Sequence, residues 1–163
     1  MRALIQEWPL LCHKIIDYAA LQHGAREVVS RSVEGPIIRT SYADIRLRAL
    51  QVRARLAAEG FERDDRIATL AWNTSRHVEA WYGIMGAGMI CHTLNPRLFP
   101  EQLAWIMNDA QDRMVFVDLT FVPLMEKIAP LVAGLKRVVV LTDAAHMPQT
   151  SLPGAIAYEE WIA

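Results

Sequence analysis

Between Asp65 and Asp118, short apolar runs alternate with segments of helical period, and few folds accept that alternation. Residues 67–71 are long enough for one buried strand, and residues 89–94 and 114–117 supply two more. After the first run, Asn73, Thr74 and Ser75 offer side-chain oxygens to the free N–H groups of a helix start. Val78, Trp81 and Met85, with Ile84 beside them, then recur at helical spacing, and Gly86 and Gly88 end that helix. Asn95-Pro96 turns the chain. Pro100 opens the next helix with its φ already fixed, and Leu103, Ile106, Met107 and Ala110 form its apolar face. The order strand–helix–strand–helix–strand predicts an α/β fold: a largely parallel sheet with crossover helices on both faces.

The flanking segments extend this pattern. Pro9 suits the first turn of a helix running to about His23, with Leu11, Ile15, Tyr18 and Ala19 on one face and Gly24 as its stop. Residues 27–33 and 36–40 are extended runs joined through Glu34-Gly35, which predicts an N-terminal β-hairpin. Ser41 and Asp44 have the spacing of a capping box, and Ile45, Ala49, Val52 and Leu56 make an i, i+4, i+7, i+11 stripe behind it. Beyond residue 118, residues 119–131 read as helical with Phe121, Leu124, Met125 and Ile128 inward. Residues 137–141 form a dense β-branched run, a further parallel strand. From Thr142 the pattern fails into a loop, and residues 158–162 start a short helix.

Composition narrows the class. A 163-residue chain suits one domain, and its 53% hydrophobic content argues against disorder. A net charge of -1 gives no electrostatic reason to expect nucleic acid. Cys12 and Cys91 have no metal-ligand spacing and are too few for a disulfide scaffold, so a reducing cytoplasm is the expected location. Residues 80–91 are uncharged, but Gly83, Gly86 and Gly88 interrupt them and the run is too short for a bilayer. Acidic Glu7 and its neighbours show no signal-peptide pattern.

Few residues offer chemistry on their own. Gly83, Gly86 and Gly88 are in the wrong order for a dinucleotide loop and close a helix instead of opening one, so close packing and capping explain them. Thr74 needs no role beyond an N-cap, and Cys91, in a strand, reads as an inert buried thiol. His92 reads as a hydrogen-bonded core histidine, and Asp65-Arg66 and Asp112-Arg113 as ties at strand ends. Arg46, Arg48, Arg53 and Arg55 lie off their helix's apolar stripe and read as a solvated surface in preference to a phosphate-binding face. Arg97 is different. It follows Asn95-Pro96 just beyond the carboxyl end of a parallel strand, where open α/β sheets bind ligands, and a guanidinium suits phosphate.

A family resemblance joins these pieces. Asp65-Arg-Ile-Ala-Thr-Leu-Ala-Trp-Asn-Thr, Glu79-Ala-Trp-Tyr-Gly, Gly86-Ala-Gly, His92-Thr-Leu-Asn-Pro-Arg-Leu, Pro100-Glu-Gln-Leu and Ile106-Met-Asn-Asp resemble the N-terminal part of an AMP-forming acyl-CoA synthetase, the fatty-acyl branch in particular. Asp64 stands where Gly is common, and Phe99 where Thr or Ser often caps the next helix. The resemblance implies residues 1–8 as an arm and residues 9–163 as the N-terminal subdomain of the adenylating domain. It implies a parent enzyme that joins a fatty acid to CoA using ATP and magnesium, with Arg97 near the CoA nucleotide phosphates. The family's ATP loop, of the type Ser-Gly-Thr-Thr-Gly-x-Pro-Lys, is expected after residue 163, as are the acidic ribose-binding residue and the catalytic lysine. No catalytic residue and no metal ligand is therefore expected here, and the stretch alone is expected to be inactive. The alternative is a stand-alone, non-catalytic binding or scaffold domain that keeps the synthetase fold. Some relatives of this kind dimerise through their N-terminal regions, so a homodimer is expected. Leu4, Ile5 and Trp8, or surface around Val78, Trp81, Met85 and an open sheet face, would make the contact.

Overall fold

The structure, a computed structural model, describes Leu4 and residues 7–163; Ile5 of the arm lies outside the described residues. Helix α1 (His13–His23) leads into an antiparallel hairpin of β1 (Glu27–Arg31) and β2 (Ile37–Ser41), whose turn carries Gly35 at φ +116°. Ser41 then caps α2 (Tyr42–Ala58): its hydroxyl accepts the Asp44 N–H at 3.2 Å while Asp44 accepts the Ser41 N–H at 3.2 Å. The remaining elements are β3 (Arg66–Leu70), α3 (Ser75–Gly86), β4 (Ile90–Thr93), α4 (Pro100–Ala110), β5 (Met114–Val117), α5 (Val122–Ile128), β6 (Arg137–Val140), β7 (Ile156–Ala157) and α6 (Tyr158–Trp161). Single 3-10 turns flank α5 and extend its helical stretch from Leu119 to Leu131.

The five-stranded sheet is parallel throughout, in the order β4-β3-β5-β6-β7. Side-chain alternation along the strands divides the apolar core in two. Ala68, Leu70, Val115, Val117, Val138 and Val140 face α4 and α5, packing on Leu103, Met107, Met125 and Ile128. Ile67, Met114, Phe116, Val139 and Leu141 face the other way, onto Val52 and Leu56 of α2, Ala80 and Ile84 of α3, and Tyr158 and Trp161 of α6. The Trp161 ring meets Phe116 edge-on at 5.3 Å. Strands buried on both faces need continuous apolar sequence, which explains the Met-Val-Phe-Val and Arg-Val-Val-Val runs. Helices cover both faces of the central strands, while β4 at the sheet edge leaves Ile90 and Thr93 exposed.

Three local expectations are corrected. Helix α1 begins at His13, because residues around Pro9 to Cys12 form only isolated turns, and Ile16 alone is buried; Leu11, Ile15 and Tyr18 face outward. Helix α3 buries Ser75, Ala80 and Gly83, all small, together with Glu79 and Ile84, while Trp81 stays 42% exposed. Gly83 sits so close to α2 that a Cβ would lie 2.5 Å from Val52 Cγ1, so the helices meet over a residue with no side chain. The loop after Thr142 contains a strand the sequence conceals: β7 has two residues, too few for any period to register.

Candidate functional site

Parallel strands bring their carboxyl ends to one edge, and a ligand crevice opens where consecutive crossovers leave on opposite faces. Strand β3 sends the chain to α3, and β4 sends it to α4 on the other side of the sheet. A cleft of about 380 Å³ lies at that point, lined by Thr69, Asn73, His77, Trp81, Thr93 and Leu94 among others. His77 fixes its polar wall. Its Nδ1 lies 3.0 Å from the Trp72 carbonyl, which can only accept, so Nδ1 carries the proton; Nε2 then accepts the Thr69 hydroxyl at 3.1 Å. Burial lowers the His77 pKa, against the hydrogen bond to Trp72, which holds the ring neutral. A neutral, doubly bonded imidazole beside Trp81 and Leu94 makes an uncharged, half-apolar surface. It offers no free base.

Arg97 lies exposed beyond β4, outside the lining of this cleft. Its backbone N–H donates to Asn95 Oδ1 at 3.0 Å, an Asx turn that aligns the segment entering α4. No ion pair engages its guanidinium among the described residues. Phe99 supplies no capping oxygen to α4, and Gln102 Oε1 instead accepts the Phe99 N–H at 3.1 Å.

On the α2–α3–α6 side lies a polar knot that the sequence did not reveal. Glu79, 2% exposed, accepts Arg48 Nε at 2.8 Å and the Tyr158 hydroxyl at 2.9 Å. Burial pushes the Glu79 carboxyl up in spite of Arg48, while the surrounding carboxylates hold Arg48 protonated against its own burial. Arg48 also reaches Glu159, which Arg76 contacts at 2.8 Å. Arg76 in turn holds Glu34 of the hairpin turn at 2.6 Å, and the Thr142 hydroxyl donates to the same Glu34 oxygen at 2.7 Å. Arg48 is thus no member of a solvated surface, whereas Arg46 pairs with Asp17 and Arg55 with Glu59 in more exposed positions. The one available signal was Glu79 itself, a lone carboxylate within a stripe of small residues on α3.

The other candidates take structural places. His92 Nδ1 and Asp112 Oδ2 lie 2.8 Å apart, and that bond, against partial burial, raises the His92 pKa. Asp65 pairs with Arg113 in the sheet's amino-end loops, as expected of a strand-end tie. Cys91 is mostly buried and its thiol is pushed up to about 12, consistent with inertness. Thr74 caps α3 through the His77 N–H.

Among the described residues, one group of three could present ligand atoms to a cation: Glu34, Asp143 and His146, all within 4.8 Å of one another. Its imidazole does not suit magnesium, which takes oxygen ligands, so no residue here is assigned to a magnesium–nucleotide complex.

Known proteins share this sequence and fold. A 3-methylmercaptopropionyl-CoA ligase of Ruegeria lacuscaerulensis is 43% identical over 154 residues, covering 94% of this chain and 29% of the relative. A medium-chain-fatty-acid–CoA ligase of Ectopseudomonas oleovorans is 40% identical, covering 94% of this chain and 28% of its own. The crystal structure of an anthranilate CoA ligase with anthranoyl-AMP shares the fold at a TM-score of 0.77 and 22% identity, over 95% of this chain and 28% of that one. The chain therefore spans less than a third of the length of these relatives. The family model described as AMP-binding enzyme matches residues 16–161, and the chain belongs to that family.

Proposed function

We propose that this chain is the N-terminal part of an ATP-dependent fatty-acyl-CoA synthetase, which converts a fatty acid, ATP and CoA to acyl-CoA, AMP and pyrophosphate. The observation that carries this reading is the 40% identity, across nearly the whole chain, to a medium-chain-fatty-acid–CoA ligase. The relative named for 3-methylmercaptopropionate widens the acid to short and medium acyl chains. In the first step the carboxylate attacks ATP to give acyl-adenylate and pyrophosphate. In the second the CoA thiol attacks the adenylate's carbonyl and AMP leaves. Within residues 9–163, the subdomain's part is to bind and shape. Arg97 is our candidate for the CoA nucleotide phosphates, because its guanidinium is exposed and, among the described residues, free of ion pairs at the carboxyl edge of the sheet. ATP, CoA and magnesium are the cofactors of the complete enzyme. Two unpaired cysteines fit a cytoplasmic setting, and no helix among the described residues is long and apolar enough to cross a membrane.

No Ser-Gly-Thr-Thr-Gly-type loop occurs between residues 1 and 163, so these residues alone should not form adenylate. ATP–pyrophosphate exchange with a medium-chain acid tests both halves. The full-length enzyme should exchange and release acyl-CoA, and the 163-residue chain should not rise above a protein-free blank. Exchange by the chain alone overturns the division of labour. A full-length enzyme that thioesterifies no fatty acid overturns the reading itself.

A further inference from the structure

We propose that Glu34, Asp143 and His146 form a binding site for one divalent transition-metal ion of zinc-like chemistry. The three come from two distant parts of the chain: Glu34 from the β1–β2 turn, and Asp143 and His146 from the 3-10 turn after β6. Their ligand atoms lie within 4.8 Å of one another. Zinc bonds of about 2.0–2.2 Å in tetrahedral geometry hold ligand atoms roughly 3.5 Å apart, so a closing movement of about 1 Å completes the set. The Asp143 and His146 side chains are 40% and 53% exposed, free to make that movement and to leave a path for the ion.

Glu34 supplies the independent observation. Its side chain is only 4% exposed, and while Oε1 takes Arg76 and Thr142, the buried Oε2 has no hydrogen-bond partner. A buried acceptor left unpaired is costly, and the Arg76 and Thr142 bonds already fix the carboxylate that carries it. Charge points the same way. Glu34 and Asp143 bring two carboxylates to the site, and the one guanidinium paired with Glu34, that of Arg76, is shared with Glu159. Arg76 opposes a cation at Glu34 but is itself held between Glu34 and Glu159. The donor set selects the metal: an imidazole with two carboxylates favours zinc, cobalt or nickel over magnesium and calcium, which want oxygen only. His146 Nδ1 lies 2.7 Å from Asp143 Oδ1, which accepts its N–H. An ion entering there takes the Nδ1 lone pair, with the ring proton on Nε2, and water fills the remaining position.

The test uses the purified, tag-free protein and the metals themselves. Cobalt should bind at one equivalent with visible d–d absorption of a low-coordinate site, and zinc should displace it and raise the melting temperature. His146→Ala, at an exposed position that the fold does not need, should weaken zinc binding at least about tenfold. Glu34→Gln, which keeps an acceptor for Arg76 and Thr142, should weaken it while circular dichroism confirms folding. Magnesium in excess should not displace cobalt. Equal zinc affinity in the protein and in His146→Ala overturns the proposal. So do displacement by magnesium and zinc binding weaker than about 1 mM.

Discussion

Gly83→Ala tests the closest approach in the structure. An added Cβ would lie 2.5 Å from Val52 Cγ1, 2.6 Å from Val52 Cβ and 2.9 Å from the Ala49 carbonyl oxygen. Ordinary contact needs about 3.5–4 Å, so α2 and α3 must separate by roughly 1 Å. Val52 is fully buried and β-branched, with little freedom to turn aside, and the Ala49 oxygen is main chain. Alanine would gain about 1 kcal/mol of helix propensity over glycine. Against this, overpacking costs about 1–3 kcal/mol at a site with some give, and this one has little. Moving α2 would also loosen Ile45 and Leu56, which share its buried stripe. We expect a net destabilisation of about 2 kcal/mol, read from urea unfolding at constant m-value. Val52→Ala removes the nearest methyl, so the double variant should be more stable than the sum of the two single changes by at least about 1 kcal/mol. A neutral or stabilised Gly83→Ala protein, or strict additivity with Val52→Ala, would refute the steric reasoning.

Three further outcomes are expected. Asp118 accepts the Trp72 N–H in a buried site near Glu34 and Arg76, and burial raises its pKa from 3.8 to about 6. The folded-state value lies above the unfolded one, so this contribution is fully present below about pH 4 and is lost as pH rises through 6, by roughly 3 kcal/mol. Asp118→Asn keeps the acceptor and should erase that component between pH 4.5 and 7.5 in urea titrations; an unchanged pH slope would count against it. In the full-length enzyme, Arg97→Ala should raise KM for CoA about 5- to 30-fold, matching about 1–2 kcal/mol for a charge-assisted contact, with adenylate formation nearly unchanged. An unaltered KM would remove Arg97 from the CoA site. The protein should sediment as a dimer that deletion of residues 1–8 shifts towards monomer, since Trp8 continues the exposed apolar surface of Leu10, Leu11, Ile15 and Tyr18. A dimer that survives the deletion assigns the contact elsewhere, and a monomer at every concentration excludes it.

Much of this architecture was legible because packing here follows simple periods. The Ile45, Ala49, Val52 and Leu56 stripe is buried as read, and the three strands of the central stretch lie within a residue or two of their predicted limits. The period misled where exposure and apolarity part company. On α1 Ile15 and Tyr18 face solvent and only Ile16 is buried, and on α3 Ile84 is buried as read but the rest of the buried stripe is small or charged side chains that a hydrophobic pattern cannot register. The polar knot was hidden for a different reason. Arg48 and Glu159 are 111 positions apart, and no local rule pairs them. Asp64, noted only as a departure from glycine, has φ +68°, a backbone state that explains why glycine suits that position.

The strand order carries a consequence for synthesis. Strand β3 is the first of the sheet to leave the ribosome, yet it ends in the interior, with β4 on one side and β5 on the other. Its two partnerships differ in reach: Arg66 meets Ile90, whereas Ile67 must wait for Met114. The nascent chain can therefore close β3 on β4 early, as an isolated parallel pair whose second edge stays bare. After that, β5, β6 and β7 are added one at a time at a single advancing edge, in the order in which they emerge. A pause in translation before Met114 would hold β3 with that edge unsatisfied, the interval in which a nascent chain of this topology is most exposed to pairing with a neighbour.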